Sequence, residues 1–302
     1  MADPWHFEKI TLPSGLNMRI ARAGTGTRLV VMLHGFPESW YAWRHQLRAL
    51  APGFDCVAPE LRGYGETDAP RGVKNYRIEK LVGDVAGLIE ALGYQRATVV
   101  GHDWGGAVAW ATALIRPDRV ERLCVMNCPH PRKFREHLRS TPRQMLRSWY
   151  LLLFQIPLLA DTLLWARGSA LVPRMIRGSA YNKAAFSAED LAQFRETFRR
   201  PYAATAAVNY YRALRRRDFL FTPPPDHWLM RKIAAPTLLI WGEHDVALGK
   251  ELTYDMEGLF NGPFTIKYIA DAGHWVQQER PEIVNQYLTE FLGQAPQDLP
   301  GA

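Results

Sequence analysis

The chain has 302 residues, 47% of them hydrophobic and 22% charged, proportions that exclude a disordered or fibrous polymer and leave enough apolar side chain for a sizeable core. A net charge of +7 raises nucleic acid or a membrane as partners, but the excess arginine is scattered over residues 132–147 and 189–217 without a zinc-finger or basic-aromatic pattern, so no nucleic acid is expected. Cys56, Cys124 and Cys128 have no framework spacing, and Cys124 and Cys128 on an extended strand would lie about 13 Å apart at roughly 3.3 Å per residue, out of disulfide reach.

In chain order, the opening MADPWHFEKI lacks the basic start and apolar run of a signal peptide, which makes a cytoplasmic location the expectation. FEKITLPSGLNMRIARAG alternates and turns at Pro13-Ser14-Gly15, predicting a hairpin at one edge of a sheet. Short runs rich in Val, Ile and Leu follow as RLVVMLHG, FDCVAPE, ATVVGHD, RLCVMN, TLLIWG and TIKYIA. Between them YRIEKLVGDVAGLIEALG and GGAVAWATALIR carry helical period, and this alternation is the mark of a mostly parallel, doubly wound α/β sheet. The rhythm stops near Pro129 and resumes at Pro236. Residues 1–129 and 231–302 are therefore expected to form the two parts of the core, and 130–230 an inserted helical cap with the TPPPD of 222–226 as a rigid exit. Inside it WYLLLFQIPLLADTLLWA, residues 149–166, is interrupted by Pro157 and Asp161, so buried helices over a pocket are expected rather than a membrane span.

Gly101-His102-Asp103-Trp104-Gly105 falls after a strand and before a helix. Small residues around a central nucleophile at such a place make the sharp turn that lifts a side chain to the rim of an α/β sheet. A helix cap is the competing reading of Asp103. A carboxylate is ionised at neutral pH and needs no base to attack a saturated carbon, but the resulting ester needs a base-activated water to release it. His274 in AGHW and Asp245 in WGEHD, each past the end of a strand, have the placement for that base and its orienting acid, with Glu243 as the rival carboxylate. His34 and His102 are expected to be structural and His244 to point away. The backbone N–H groups of Trp104 and Phe36 are expected to form an oxyanion hole, and the Phe36-Pro37 bond is a candidate cis bond.

HGFPESWYAWRHQL, LRGYGETDAP, GHDWGGAVAW, WGEHD and AGHW together resemble the α/β-hydrolase-fold epoxide hydrolases over nearly the whole chain. Haloalkane and haloacetate dehalogenases share the aspartate, the acid and the histidine, so they stand as the alternative, as does a non-catalytic ligand-binding protein on this fold. The resemblance implies two cap tyrosines that protonate the opening epoxide oxygen. Tyr211 in AVNYYRALRRR, with Tyr210 as its neighbour to be told apart, and Tyr150 in SWYLLLFQIP match them; a packed aromatic is the other reading of each. Phe36, Trp104, Tyr150, Tyr211 and Trp275 are the expected substrate contacts, an apolar epoxide and water the expected reactants, and no cofactor or metal is implied. The chain departs from the family pattern at Glu60, where an aspartate is common before LRGYG.

Overall fold

Strands buried on both faces need continuous apolar runs, and those runs become the middle of one sheet. In the computed structural model, which describes residues 3–214, 223–224 and 226–293, eight strands appear: β1 Trp5–Thr11, β2 Asn17–Ala23, β3 Leu29–Leu33, β4 Asp55–Pro59, β5 Ala97–His102, β6 Val120–Met126, β7 Thr237–Gly242 and β8 Phe264–Ile269. Their order is β1-β2-β4-β3-β5-β6-β7-β8. The hairpin β1–β2 is antiparallel and closes one edge, with Thr11 opposite Asn17 and Trp5 opposite Ala23. From β4 to β8 all pairs are parallel, so the loops after those strands open on one rim.

The helices on the sheet follow from the same pattern. α1 spans Arg44–Leu50 and α2 Ile78–Ala91; α3, Trp104–Ile115, follows β5 directly and has ten of its twelve residues buried. Its residues are apolar on every side because it packs between the sheet and other helices. α4 Pro131–Ser140, α5 Pro142–Arg147, α6 Tyr150–Gln155, α7 Leu159–Ser169, α8 Leu171–Ser179, α9 Ala188–Thr197 and α10 Ala203–Ala213 fill the stretch between β6 and β7, with no strand among its described residues. After β8 come α11, Val276–Glu279, and α12, Pro281–Gly293. Thr222 and Pro225 of the expected rigid exit, and Arg215, Arg216 and Arg217 of the basic stretch, lie outside the described residues.

One expectation is corrected here. Residues 149–166 do form helices, with Phe154, Ala160 and Leu164 buried, but Trp149, Leu152, Leu158 and Trp165 are 62–76% exposed. A short helix that is apolar all round can turn only one side to a core. Nothing among the described residues covers the other. No described helix is long and apolar enough to cross a membrane. All three cysteines are buried and unpaired.

Candidate active site

The turn from β5 into α3 is dictated by its glycines. A Cβ on Gly101 would stand 2.3 Å from the Gly105 carbonyl oxygen, and one on Gly105 2.1 Å from that of Leu33. Only hydrogen fits at either place, and the backbones close to contact. Between them Asp103 is held at φ 49° and ψ −120°, a conformation that costs a non-glycine residue roughly 1–3 kcal/mol. Its carboxylate makes no capping bond to α3. Oδ1 instead accepts the Phe36 N–H at 2.8 Å, and Oδ2 stands 3.6 Å from His274 Nε2. The helix-cap reading of Asp103 therefore has no hydrogen bond to support it. The Phe36-Pro37 bond is cis. Trp104 is the first residue of α3, where helix N–H groups lack intrahelical acceptors and carry partial positive charge.

The loop after β8 brings His274 to the same place, and the loop after β7 brings Asp245. Asp245 Oδ2 accepts from His274 Nδ1 at 2.7 Å. Its other oxygen is fixed by the N–H groups of Ala247 at 2.8 Å and Leu248 at 2.9 Å, so the carboxylate cannot turn. Burial opposes charge on all three groups, but the charges facing one another prevail. His274, set between two carboxylates, is raised well above the ordinary imidazole range, while Asp245 and Asp103, each facing His274, are held below the usual carboxylate range. Glu243 is instead paired with Lys250 at 2.5 Å, and His244 stacks on Tyr181 with ring centres 4.0 Å apart.

The remaining loop histidines hold backbone. Leu61 N–H donates to His34 Nε2 at 3.1 Å, which leaves Nδ1 protonated to donate to the Gly35 carbonyl at 2.9 Å; burial lowers its pKa to about 4. His102 Nε2–H donates to the His274 carbonyl at 2.8 Å, while its Nδ1 lies 2.7 Å from Glu38 Oε2. Glu38 Oε1 in turn accepts from Gln277 and Gln278 at 3.0 and 2.7 Å. A buried network thus fixes the main chain of the very residue whose ring faces Asp103.

A cavity of about 670 Å³ opens over Asp103, bounded by Trp104, Tyr150 and Tyr211 and by apolar side chains such as Leu151, Trp228 and Leu248. Tyr211, on α10, sits with its ring 5.0 Å from that of Trp104 and 6.1 Å from that of Tyr150, on α6. The two rings of Trp104 and Tyr211 meet edge to face, at 86° to one another. Burial, reinforced by the charge of Asp103, pushes both phenols up and keeps them protonated. Tyr210 is otherwise engaged, its hydroxyl donating to the Arg62 carbonyl at 2.8 Å. Phe36 packs its ring on Phe154 and Tyr211, so what it offers Asp103 is its amide.

Trp275 is a correction. Its indole N–H donates to the Ile176 carbonyl at 3.1 Å and to Ser179 Oγ at 3.0 Å, and it is not among the residues bounding the cavity. Its ring backs His274 at 4.7 Å between centres and ties that loop to α8 rather than touching a substrate. Glu60 accepts from Arg19 at 3.1 Å and from the Glu66 N–H at 2.5 Å, a loop contact outside the site.

Two participants escaped the sequence reading. Asn127, directly after β6, donates to Asp245 Oδ2 at 2.8 Å and accepts the Gly242 N–H at 2.9 Å, clamping the acid loop. Applying to β6 the placement rule that singled out Asp245 and His274 would have found it. Glu38 had a fainter signal, a lone charge in the otherwise uncharged HGFPESWYAW.

The sequence matches the α/β hydrolase fold family over residues 28–281. It is 38% identical over 284 residues to epoxide hydrolase 3 of Xenopus tropicalis, covering 92% of this chain and 75% of that one. It is 36% identical over 284 residues to epoxide hydrolase 4 of Homo sapiens, covering 92% and 76%. The structure superposes on a crystal structure of a Bacillus megaterium epoxide hydrolase bound to an inhibitor with a TM-score of 0.84 at 28% identity, covering 95% of this chain and 100% of the other.

Proposed function

The chain belongs to the α/β-hydrolase family, in its epoxide hydrolase branch, and we propose that it opens an apolar epoxide to a vicinal diol through an ester on Asp103. One observation carries the reading: the Asp103 carboxylate lies between the Phe36 N–H on one side and His274 on the other, under a cavity that holds two protonated tyrosines.

Oδ1 is occupied by the Phe36 amide, which leaves Oδ2 as the attacking oxygen. It bonds to an epoxide carbon as the carbon–oxygen bond of the ring breaks. An alkoxide is too basic to leave unaided, and the released oxygen takes a proton from Tyr150 or Tyr211. In the second step His274 Nε2 takes a proton from water while the water oxygen adds to Asp103 Cγ. The charge that develops on Oδ1 is met by the N–H groups of Phe36 and Trp104. Collapse breaks the bond from Cγ to Oδ2; of the two protons of the consumed water, the one on His274 passes to the departing oxygen and the one left on the Asp103 carboxyl passes to the tyrosinate, which restores both groups. Asp245, immobilised by Asn127 and two amides, holds the imidazole in the tautomer with Nε2 toward the ester. Residues 130–230 act as the cap that supplies both tyrosines and closes the cavity.

Halide release fits the same nucleophile less well. A halide needs hydrogen-bond donors, and the Phe36 side chain offers none, its ring packed on Phe154 and Tyr211.

A single turnover in isotopically labelled water tests the reading. The diol should carry oxygen from the enzyme and the label should enter the carboxylate of residue 103, while Asp103→Asn forms no diol. Label found only in the diol, with residue 103 unlabelled, would refute the ester.

A further inference from the structure

Of fourteen large hydrophobic side chains exposed among the described residues, nine lie between Met145 and Trp165. Scattered exposed hydrophobics are ordinary, but a cluster marks a contact surface. It comprises the outer sides of α5, α6 and α7, with Leu146, Trp149, Leu152, Leu158 and Trp165 the most exposed at 62–77%.

The charge around it is one-sided. Residues 137–188 contain seven arginines or lysines and a single acid, Asp161, which is buried and bound to Arg212 at 2.5 Å. Arg143, Arg167, Arg174 and Arg177 are exposed. Leucine and tryptophan set among cations are what a helix presents to the boundary between acyl chains and headgroups. A second copy of the chain would instead bring two basic faces together, with like charges opposed across the interface. The same helix α6 turns Tyr150 and Leu151 inward to the cavity, so the apolar face is the outer side of the cavity wall.

We infer that the outer face of α5–α7 docks on a lipid bilayer bearing anionic headgroups, its leucines and tryptophans entering the acyl boundary and its arginines meeting the phosphates. The chain lies on the bilayer, and none of the catalytic set takes part, so the docking stands whether or not the proposed reaction does.

The test is co-sedimentation of the full chain with vesicles of phosphatidylcholine alone or mixed with phosphatidylglycerol. Binding is expected on the mixed vesicles, falling about tenfold without the anionic lipid because several arginines lose their counter-charge. Leu146→Glu/Leu152→Glu/Leu158→Glu should abolish it while keeping the circular dichroism of the native chain. Should that variant fail to fold, brominated phospholipid gives the answer: it should quench tryptophan fluorescence in the native chain, and Trp149→Phe/Trp165→Phe should remove the quenched fraction. Equal binding to both kinds of vesicle, binding retained by the folded triple variant, absent quenching, or a lipid-free dimer that the triple variant splits would each overturn the proposal.

Discussion

His274 is the residue on which the second step of the proposed reaction turns, and its surroundings change as that step is reached. In the free enzyme two carboxylates face it, one at each ring nitrogen. Esterification removes the charge of Asp103, and with it one of the two influences that hold the imidazole above its ordinary range. The sign is then fixed: an opposite charge favours the protonated ring, so its loss lowers the pKa. Formation of the proposed ester thus shifts His274 toward its neutral form, the one that accepts a proton from water. The rate of ester breakdown in single turnovers should therefore rise with pH to a plateau, with a midpoint below the pKa of His274 read by NMR titration of the free enzyme. A midpoint equal to or above that value would show that Asp103 does not control the base. Why the cluster of Asp103, Asp245 and His274 was legible is also plain at this scale: each follows a strand end and carries a group whose chemistry the proposed ester requires. Asn127 was not, because its task is set by a carboxylate 118 residues along the chain. Trp275 misled for a similar reason, since an aromatic beside a catalytic histidine says nothing about which way its ring faces.

Among the elements, the β5–α3 turn and the α2 helix show opposite uses of glycine. At Gly105 an added methyl would press on the main chain of β3, 2.1 Å from the Leu33 oxygen, and a backbone in the middle of a sheet has nowhere to go. Gly83 lies exposed inside α2 with nothing within 4 Å of the same added atom. Gly105→Ala should therefore lower stability by about 1–3 kcal/mol, the range for overpacking a well-filled interior, and displace Asp103. Gly83→Ala should raise it by about 0.5–1 kcal/mol, through helix propensity and a less free unfolded chain. Chemical denaturation of both variants reads the pair, and equal effects would contradict the packing argument. The elbow was legible in GHDWGG because its spacing records this steric demand. The strands were legible because burial on both faces leaves a run of Val, Ile and Leu. The exposed side of α6 and α7 was not, since composition reports what a side chain avoids and is silent on whether anything lies over it.

At the scale of the whole molecule the question is whether the helices of residues 130–230 are a unit of their own. Their apolar side chains join the core on the sheet in one continuous cluster that includes Leu33, Phe36 and Trp104 alongside Phe154, Phe194 and Tyr211. Polar ties reinforce the seam: Tyr41 to Asp190 at 3.0 Å, Asn182 N–H to Glu279 at 2.7 Å, and the Gln144 amide to the Ala247 carbonyl at 3.0 Å while its oxygen accepts the Gly249 N–H at 3.1 Å. Helices that must borrow half their core from the sheet cannot outlast it, and the cavity between them vanishes when either part opens. Heating should therefore give a single calorimetric transition in which near-ultraviolet circular dichroism and enzyme activity are lost together. Gln144→Ala, which leaves a half-buried carbonyl and a buried N–H unpaired, should move that one transition to lower temperature, in keeping with a loss of about 1–3 kcal/mol, and should not split it. Two resolved transitions, with activity lost in the first, would mean that the helices hold together without the sheet and that Asp103 and the tyrosines above it are assembled by docking two independent bodies.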